Sequence, residues 1–258
     1  MNFKTTSISF LISVCLVVLL NYFNQISLVW LLLPFVVYNA LIIYGSASIQ
    51  SDFFVKAICS AETNEKIIAL TFDDGPHKEY TTQVLSALKE FEAKATFFVI
   101  GKNIRENEHI IRQIDAEGHT IGNHTYSHSF FIDFKSKKEF KEELNRTSDE
   151  VSKITRKRLS LFRPPYGVTT PNLASASKDL DYVIVGWNVR TMDTTNDNEE
   201  KIFERVQQQM KSGAIILFHD TSEKTVRVLK RTLQLAKENG YEIVGVDKII
   251  ELNTNKKL

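Results

Sequence analysis

The stretch that decides the fold is Ile67-Ile68-Ala69-Leu70-Thr71-Phe72-Asp73-Asp74-Gly75-Pro76, in which an apolar run ends in two carboxylates and a turn. An apolar and β-branched run of this kind is typical of a buried strand in a parallel sheet. Gly75 and Pro76 then turn the chain, so Asp73 and Asp74 are expected at the mouth of the sheet. Because adjacent residues point in different directions, the two acids can have different roles. A solvated Asp-Asp-Gly turn is the alternative.

Short apolar runs alternate with amphipathic stretches of helical period from residue 66 onward, a pattern typical of βα units that close over a parallel sheet. The predicted strands are 67–72, 95–100, 120–123, 159–163, 182–187, 214–218 and 241–244. The clearest predicted helices are 80–91, 104–117, 136–156, 199–211 and 224–238. About seven strands favour one barrel-like α/β domain over two small domains.

Polar side chains follow four of the predicted strands at the point where each strand ends. They are Asp73 and Asp74, Asn123 and His124, Arg163, and His219 and Asp220. In βα barrels the active site is built at the carboxyl ends of the strands. The sequence therefore predicts that these side chains gather around one site.

Two histidines, His124 and His128, follow the third predicted strand. If they share one helical turn, both imidazoles face the same way, as two ligands of one metal ion do. Together with one Asp they would leave an open coordination position, as in catalytic zinc sites. A pair of surface or capping histidines is the alternative. The same donors accept cobalt, nickel or iron, so the identity of the ion stays open.

Residues 162–167, Phe-Arg-Pro-Pro-Tyr-Gly, form the next motif. The two prolines predict a rigid extended turn that can hold Arg163 and the backbone amide of Tyr166 in set positions, with a structural loop as the alternative. The apolar run 214–218 ends at His219. This histidine is either an acid catalyst or, as is more usual for a lone histidine, a hydrogen-bonded structural residue.

In this order and spacing, the motifs Thr-Phe-Asp-Asp-Gly-Pro, His-Thr-x-x-His, Arg-Pro-Pro-Tyr-Gly and Leu-Phe-His-Asp resemble those of the polysaccharide deacetylase family. These carbohydrate esterases of family 4 share the NodB-type domain, and the resemblance covers residues 66–250. It implies a deformed (β/α) barrel that uses one divalent ion, zinc or a similar metal, to remove N-acetyl groups from amino sugars. It implies that Asp74, His124 and His128 bind this ion.

The resemblance also implies roles for the neighbouring residues. Asp73 would be the general base for the attacking water, and Arg163 would orient it. Tyr166 would donate its backbone N–H to the oxyanion, and His219 would protonate the leaving amine. The other residues expected at the site are Asp193 beside His219 and, towards the substrate, Pro165, Trp187 and Leu217.

One segment departs from the family pattern. The family usually carries Asp-x-x-Asp-Trp, whereas residues 190–194 here read Arg-Thr-Met-Asp-Thr. The second acid is kept as Asp193, but Arg190 replaces the first acid and Thr194 replaces the tryptophan. Loss of that aromatic wall should alter one side of the sugar groove, so the substrate preference cannot be transferred from the family.

Charged residues are distributed unevenly along the 258-residue chain. Residues 5–51 contain no Asp, Glu, Lys or Arg, whereas residues 52–258 carry 31 basic and 31 acidic side chains. This balance argues against electrostatic binding of nucleic acid. Two apolar runs, 8–23 and 26–44, lie in the uncharged tract. The second is about long enough to span a bilayer, and the first is slightly short.

The predicted organisation is an N-terminal transmembrane helical hairpin in residues 1–50, a linker in 51–65 and a catalytic domain in 66–258. One long signal-anchor or a cleaved signal peptide are the alternatives, but no small-x-small cleavage site follows the first run. Two spans would put the N-terminus and the domain on the same face of the membrane. Lys4 and Lys56 give almost no orientation bias, so an extracytoplasmic domain is expected from the substrate class alone.

The sequence thus predicts a membrane-anchored, metal-dependent hydrolase that deacetylates N-acetylglucosamine units of an envelope glycan such as peptidoglycan. Its expected partners are the N-acetylated glycan and, through the hairpin, membrane lipid; the sequence does not indicate an oligomeric state. A glycan-binding module with weak or no turnover is an alternative, as is an amidohydrolase that acts on a non-sugar amide. The presence of Asp73, Arg163 and His219 argues against the binding module, because binding alone needs neither a base nor an acid.

Overall fold

Two long apolar helices open the chain in the computed structural model, which describes residues 2–255. Helix α1 spans Phe3–Tyr22 and α2 spans Leu32–Ala47, preceded by a 3₁₀ turn. Phe10 stacks on Tyr38 with ring centroids 4.4 Å apart, so the two helices pack as a hairpin. The two apolar segments, each 20 residues long, have mean hydropathies of 2.1 and 2.0. By length and composition, each could cross a membrane.

The first helix is longer than the apolar run 8–23 indicates. Asn2 accepts a hydrogen bond from the Thr5 amide, and the Thr5 hydroxyl caps the Asn2 backbone in return. This capping box satisfies the first amides of the helix and lets it begin at Phe3. The span predicted as slightly short is therefore as long as the second one.

Within residues 2–255, nine strands form one curled sheet in which every strand pairing is parallel. The strands are β1 (Ala57–Ile58), β2 (Ile67–Asp73), β3 (Thr96–Val99), β4 (Thr120–Asn123), β5 (Leu161–Phe162), β6 (Val183–Val185), β7 (Val189–Arg190), β8 (Ala214–His219) and β9 (Glu242–Val244). Their order is β1-β6-β5-β4-β3-β2-β8-β7, and β9 also pairs with β2. The carboxyl ends of the strands consequently meet along one rim.

Helices connect most of these strands. They are α3 (Tyr80–Glu90), α4 (Gly101–Ile104), α5 (Glu108–Ala116), α6 (Lys137–Thr155), α7 (Pro171–Asp179), α8 (Glu199–Gln209), α9 (Glu223–Glu238) and α10 (Val246–Asn255). Ser136 and Glu139 form a capping box that fixes the start of α6. The start of α6 matters because Glu143 of this helix binds the loop that follows β4.

Strand β2 is buried on both sides and separates two apolar clusters. Its alternate residues Ile68, Leu70 and Phe72 pack against the helices in an outer cluster. Ile67 and Ala69 belong to an inner cluster on the concave side of the sheet. Since side chains alternate along a strand, Asp73 continues the inner side and projects into the concave face at the rim.

The predicted α/β barrel-like sheet is confirmed, with differences in detail. All the predicted strands occur, but β1, β7, α7 and α10 were not predicted. The predicted helix 104–117 is interrupted between α4 and α5, where Asn107 donates from its side chain to the carbonyls of Asn103 and Pro76. Two-residue strands such as β1 and β7 are too short to show a period in the sequence.

The segment predicted as a linker, 51–65, contributes to the sheet. It contains β1, which pairs with β6 in the register Ala57↔Ile184. Phe53 and Ala61, in the same segment, are buried. The segment therefore packs as part of the domain, and its polar composition concealed this because only two of its residues extend the sheet.

The base of the hairpin is fixed to the domain close to the rim. The Thr169 amide donates to Ser46 O at 3.0 Å, and the Ser46 hydroxyl donates to Thr169 O at 2.9 Å. Gln50 Nε2 donates to Trp187 O at 2.9 Å. At the other end of the hairpin sequence, the Phe3 amide donates to Phe53 O at 3.0 Å. Both ends of the hairpin therefore lie at the same side, next to the domain.

Candidate active site

Asp74, His124 and His128 converge at the rim, beyond the ends of β2 and β4. One ligand atom of each lies within 4.8 Å of the others. Asp74 Oδ1 is 3.3 Å from His128 Nε2 and 3.5 Å from His124 Nε2. Two imidazole nitrogens and a carboxylate oxygen are donors that zinc and similar divalent ions accept. The cluster therefore fits one divalent ion and leaves coordination positions for other ligands.

The orientation of His124 is set by a backbone carbonyl. Its Nδ1 lies 2.7 Å from Arg163 O and donates to it, which leaves Nε2 as the atom that faces Asp74. Burial opposes a charge on this imidazole, but Asp73 and Asp74 outweigh burial and raise the pKa of His124. Burial likewise opposes a charge on Asp74, yet the neighbouring imidazoles hold the pKa of Asp74 well below its usual range. The cluster thus presents an ionised carboxylate to a cation.

The two histidines do not share the helical turn that their four-residue spacing allows. They lie in an irregular loop after β4. Glu143 of α6 binds that loop from below: its carboxylate accepts from the amides of Tyr126 at 2.9 Å and Ser127 at 2.7 Å, and from the Ser127 hydroxyl at 2.8 Å. The facing imidazoles are therefore held by an outer carboxylate and not by helical hydrogen bonds.

Asp73 is held by a fully buried arginine. Arg163 Nη1 donates to Asp73 Oδ1 at 2.8 Å and to the Thr71 hydroxyl at 2.8 Å. The same guanidinium donates to the carbonyls of Val185 at 3.2 Å and Gly186 at 2.8 Å. Such a set of partners offsets the cost of burying the cation. The other oxygen, Asp73 Oδ2, lies 3.8 Å from His124 Nε2 and faces the metal-ligand cluster.

The loop 163–167 forms the next wall of the site. Tyr166 has a left-handed backbone with φ of 59°, and its ring centroid is 4.8 Å from that of His128. Gly167, also left-handed, packs so closely on Trp187 that a Cβ there would overlap the indole. Pro165, Trp187 and Leu217 are buried, with Trp187 8% and Leu217 2% exposed. These three predicted substrate residues therefore offer little surface of their own.

His219 ends β8 beside Asp73, because the two residues are paired in the register of β2 and β8. Its Nδ1 lies 2.8 Å from Asp193 Oδ1, and its amide donates to Asp193 Oδ2 at 2.8 Å. Burial lowers the pKa of His219, but the hydrogen bond and charge of Asp193 dominate and raise it to about 9. The imidazole is thus charged at neutral pH and can donate a proton.

These features can be compared with known proteins. The model of the polysaccharide deacetylase family matches residues 60–185. A peptidoglycan-N-acetylglucosamine deacetylase of Bacillus cereus is 36% identical over 192 residues, which cover 72% of this chain and 89% of that relative. The chain belongs to the polysaccharide deacetylase family. It is a carbohydrate esterase of family 4, a class of hydrolases that act on N-acetyl amides.

Two further relatives of this deacetylase differ from each other in their described activity. The peptidoglycan-N-acetylmuramic acid deacetylase PdaC of Bacillus subtilis is 33% identical over 198 residues, 77% of this chain and 42% of that relative. The solved structure of PdaC matches with a TM-score of 0.70 over 75% of this chain and 94% of that chain. A CE4 family pseudoenzyme from Bacillus anthracis matches at 26% identity with a TM-score of 0.69, covering 75% and 68% of the two chains. Proteins with and without turnover thus share this fold, so turnover must depend on the side chains at the rim.

The structure of the deacetylase brings the predicted polar residues together at one rim. Asp74, His124 and His128 form one cluster, Asp73 and Arg163 a second, and His219 and Asp193 a third. The chemical roles of these residues stay predictions. The clusters come from the ends of different strands, which is where βα folds build their sites.

Sequence reasoning missed residues that support these clusters in the deacetylase. Glu143 carries the loop of the two histidines, and Thr71 shares the guanidinium of Arg163. Thr225 Oγ1 donates to Asp193 Oδ2 at 2.8 Å. Thr81 donates to the buried carboxylate of Asp220, which lies against Gly75 and belongs to none of the three clusters. Glu143 alone gave a signal, because an acid at a core-facing position of an amphipathic helix is unusual.

Proposed function

We propose that this protein is a membrane-anchored, metal-dependent deacetylase that hydrolyses the N-acetyl groups of N-acetylglucosamine units in an envelope glycan such as peptidoglycan. One observation carries the proposal: a carboxylate, Asp73, and an imidazole, His219, are paired on neighbouring strands next to a cluster of metal-ligand type. Hydrolysis of an amide needs a base for the water and an acid for the amine. A module that only binds glycan needs neither.

Asp74, His124 and His128 would hold the ion, for which zinc is proposed from two imidazoles and one carboxylate. When bound, the ion would polarise the acetyl carbonyl and lower the pKa of a water molecule. Asp73 accepts a proton from the attacking water through Oδ2, the oxygen that Arg163 Nη1 does not bind. The Tyr166 N–H donates to the oxyanion that develops on the carbonyl.

His219 completes the reaction by giving its Nε2 proton to the departing nitrogen. An amine leaves readily only when it is protonated, and the hydrogen bond from Nδ1 to Asp193 fixes the ring with Nε2 free for this transfer. The threonine hydroxyls of Thr191 and Thr225 hold Asp193 in turn. The acid is therefore preorganised and does not have to form during the reaction.

The surface next to the site supports a sugar as the substrate. Phe130, on the loop after His128, is 76% exposed, and its ring centroid is 6.5 Å from that of Tyr166. Exposed aromatic rings at a groove offer apolar faces on which sugar rings can stack. The relatives add support, because the Bacillus cereus protein is named for N-acetylglucosamine and PdaC for N-acetylmuramic acid, both units of peptidoglycan.

The helical hairpin supports a location at the cell membrane with the domain outside the cytoplasm. Its far end carries exposed aromatic residues, namely Tyr22, Phe23 and Trp30. Tyr44 lies near its base and is also exposed. Aromatic side chains at both ends of apolar spans are typical of the two membrane interfaces. The domain is assigned to the outer side of the membrane because the proposed substrate, an envelope glycan, lies on that side.

The test is release of acetate by the full-length protein in nanodiscs, stripped with a chelator and reloaded with zinc, from peptidoglycan and from N-acetylglucosamine oligomers. Asp73→Asn should lose turnover and keep zinc, whereas Asp74→Asn should lose zinc, measured as bound metal per protein. The control is Asp149→Asn, which removes an exposed acid on α6. If the two site variants behaved alike, the roles assigned to the two acids would be wrong. Glycan retained without acetate release would favour the binding module.

A further inference from the structure

Arg190 ends β7 on the concave side of the sheet. Val189, one residue earlier, belongs to the outer cluster, so the side chain of Arg190 projects to the opposite, inner side. Arg190 is paired in register with Leu217 of β8, which lies in the inner cluster. His219 follows two residues later on the same strand. Arg190 therefore lies on the groove wall that leads to the proton-donating side of the site.

Arg190 and Arg163 lie against the same indole but differ in burial and in their polar partners. Their Cζ atoms are 5.7 and 5.6 Å from the ring of Trp187. Arg163 is fully buried and paired with Asp73. Arg190 is exposed, and no side chain or carbonyl within residues 2–255 hydrogen-bonds or forms an ion pair with its guanidinium. A positive charge with all its donors available thus stands in the groove.

The residues around Arg190 determine where its guanidinium lies and what it can bind. Trp187 packs under Gly167, next to Tyr166, whose backbone N–H is assigned to the oxyanion in the proposed function. The guanidinium carbon of Arg190 lies 5.7 Å from the centre of the indole, and the side chain is exposed to solvent. A guanidinium presents paired N–H donors that match a carboxylate. A neutral oligomer of N-acetylglucosamine offers it only hydroxyl groups.

We propose that Arg190 binds the free carboxylate of a 3-O-lactyl group, so that the groove prefers glycan strands containing N-acetylmuramoyl residues over oligomers of N-acetylglucosamine. This inference rests on the proposed deacetylase function and names its substrate more closely. In a strand of alternating sugars, each N-acetylglucosamine unit is linked to a muramoyl residue that carries the lactyl ether on C3. The lactyl carboxylate of that neighbouring residue is therefore the negative charge nearest to the acetamido group that is hydrolysed.

The experiment compares two glycans that differ only in this charge: a peptide-free strand of alternating N-acetylglucosamine and N-acetylmuramic acid, and the same strand with its lactyl carboxylates converted to methylamides. The readout is the ratio of kcat/KM for acetate release from the first and the second strand, with the zinc-loaded, full-length protein. In the wild type this ratio should be well above one. Arg190→Gln should lower it about tenfold, the size expected for a partly desolvated charge pair, and Arg190→Glu should lower it further.

The matched control is Arg112→Gln, which removes an exposed arginine of α5 that pairs with Glu108 and should keep the wild-type ratio. A ratio near one in the wild type, or an equal ratio in the wild type and Arg190→Gln, would overturn the inference. Equilibrium affinities for the two strands provide a second readout that needs no turnover. If no strand released acetate, the proposed function would fail, while a lost preference in the affinities of Arg190→Gln would still support the role of Arg190.

Discussion

At the scale of single residues, the charge of His219 depends on one neighbour. Asp193 is fully buried and directs both oxygens to His219, one to the ring and one to the amide. The pair also contributes to the stability of the fold with a defined sign. Because the folded pKa of His219 is raised, this contribution is complete below about pH 6.5 and is lost as the pH rises through about 9.

Asp193→Asn should move the alkaline limb of the activity profile. The imidazole must be protonated to donate, so wild-type activity should fall as the pH rises through about 9. Without the carboxylate, burial still lowers the pKa of His219 and only the charges of Asp73 and Asp74 still raise it, so the pKa should fall and activity should be lost at a lower pH than in the wild type. The measurement is kcat/KM for acetate release from pH 5 to 10, with bound zinc checked at each pH. An alkaline limb that stayed in place would exclude His219 as the acid.

The residues that the sequence could identify are those whose chemistry is local. Asp73, Asp74 and His219 follow apolar strands directly, so their place at the rim follows from the strand itself. Arg163 was predicted to orient Asp73, and it does bind Asp73, but its contact with Thr71 depends on the sheet order. The position of Thr225 beside Asp193 depends on how α9 packs, and no spacing in the chain encodes it.

At the scale of elements, long strands were predicted well, whereas two of the three two-residue strands within residues 2–255, β1 and β7, were missed. All residues of β2 and all but the last of β8 are buried, and continuous apolar runs in the sequence predict both strands. β1 and β7 contribute two residues each and gain their place only from the partner strands β6 and β8. The loop of His124 and His128 is a comparable case, because its shape comes from α6 and not from its own sequence. Elements that tertiary contacts create cannot be read from periodicity.

Glu143→Gln should weaken the metal site without touching a ligand. Glutamine has one oxygen, which can replace Oε2 and accept from the amides of Tyr126 and Ser127. An amide nitrogen would then stand in place of Oε1, which accepts from the Ser127 hydroxyl and pairs with Lys135 at 2.9 Å, so the loop of the two histidines should loosen. Zinc affinity, measured by competition with a chelating dye, should fall about tenfold or more, as is usual for outer-shell contacts. Turnover should recover at saturating zinc.

The matched control is Glu142→Gln, the preceding residue of α6, whose exposed side chain lies 4.0 Å from Lys138 and away from the loop. It should leave zinc affinity at the wild-type value. Equal zinc affinities for Glu143→Gln and the wild type would mean that the loop holds its shape without α6.

At the scale of the whole molecule, the hairpin and the groove are joined. Thr169 follows the loop of Tyr166 by three residues and exchanges hydrogen bonds with Ser46 at the base of α2. Trp187, which underlies the groove, accepts from Gln50. The rim therefore lies close to the level at which the hairpin enters the domain. A bilayer around the hairpin would hold the groove near its surface, where envelope glycan is assembled.

This arrangement predicts which residues face each side of the membrane. Both ends of the hairpin meet the domain, so Glu90, exposed at the end of α3, should face outwards, and Gln25, at the turn of the hairpin, should face the cytoplasm. The two native cysteines are Cys15 and Cys59, and burial raises the pKa of Cys59 to about 11, which makes it a slow nucleophile. Replacing both with alanine should give a background without thiols.

A membrane-impermeant maleimide should then label Glu90→Cys in intact cells and label Gln25→Cys only after the membrane is permeabilised. The two variants control for each other, because each must react fully in detergent. The reverse pattern would place the domain in the cytoplasm and rule out an envelope glycan as the substrate. Labelling of both positions in intact cells would show that the hairpin does not cross the bilayer. In that case the groove would be tied to the membrane surface only through the apolar faces of α1 and α2, and the reach of the enzyme into the envelope would have to be greater.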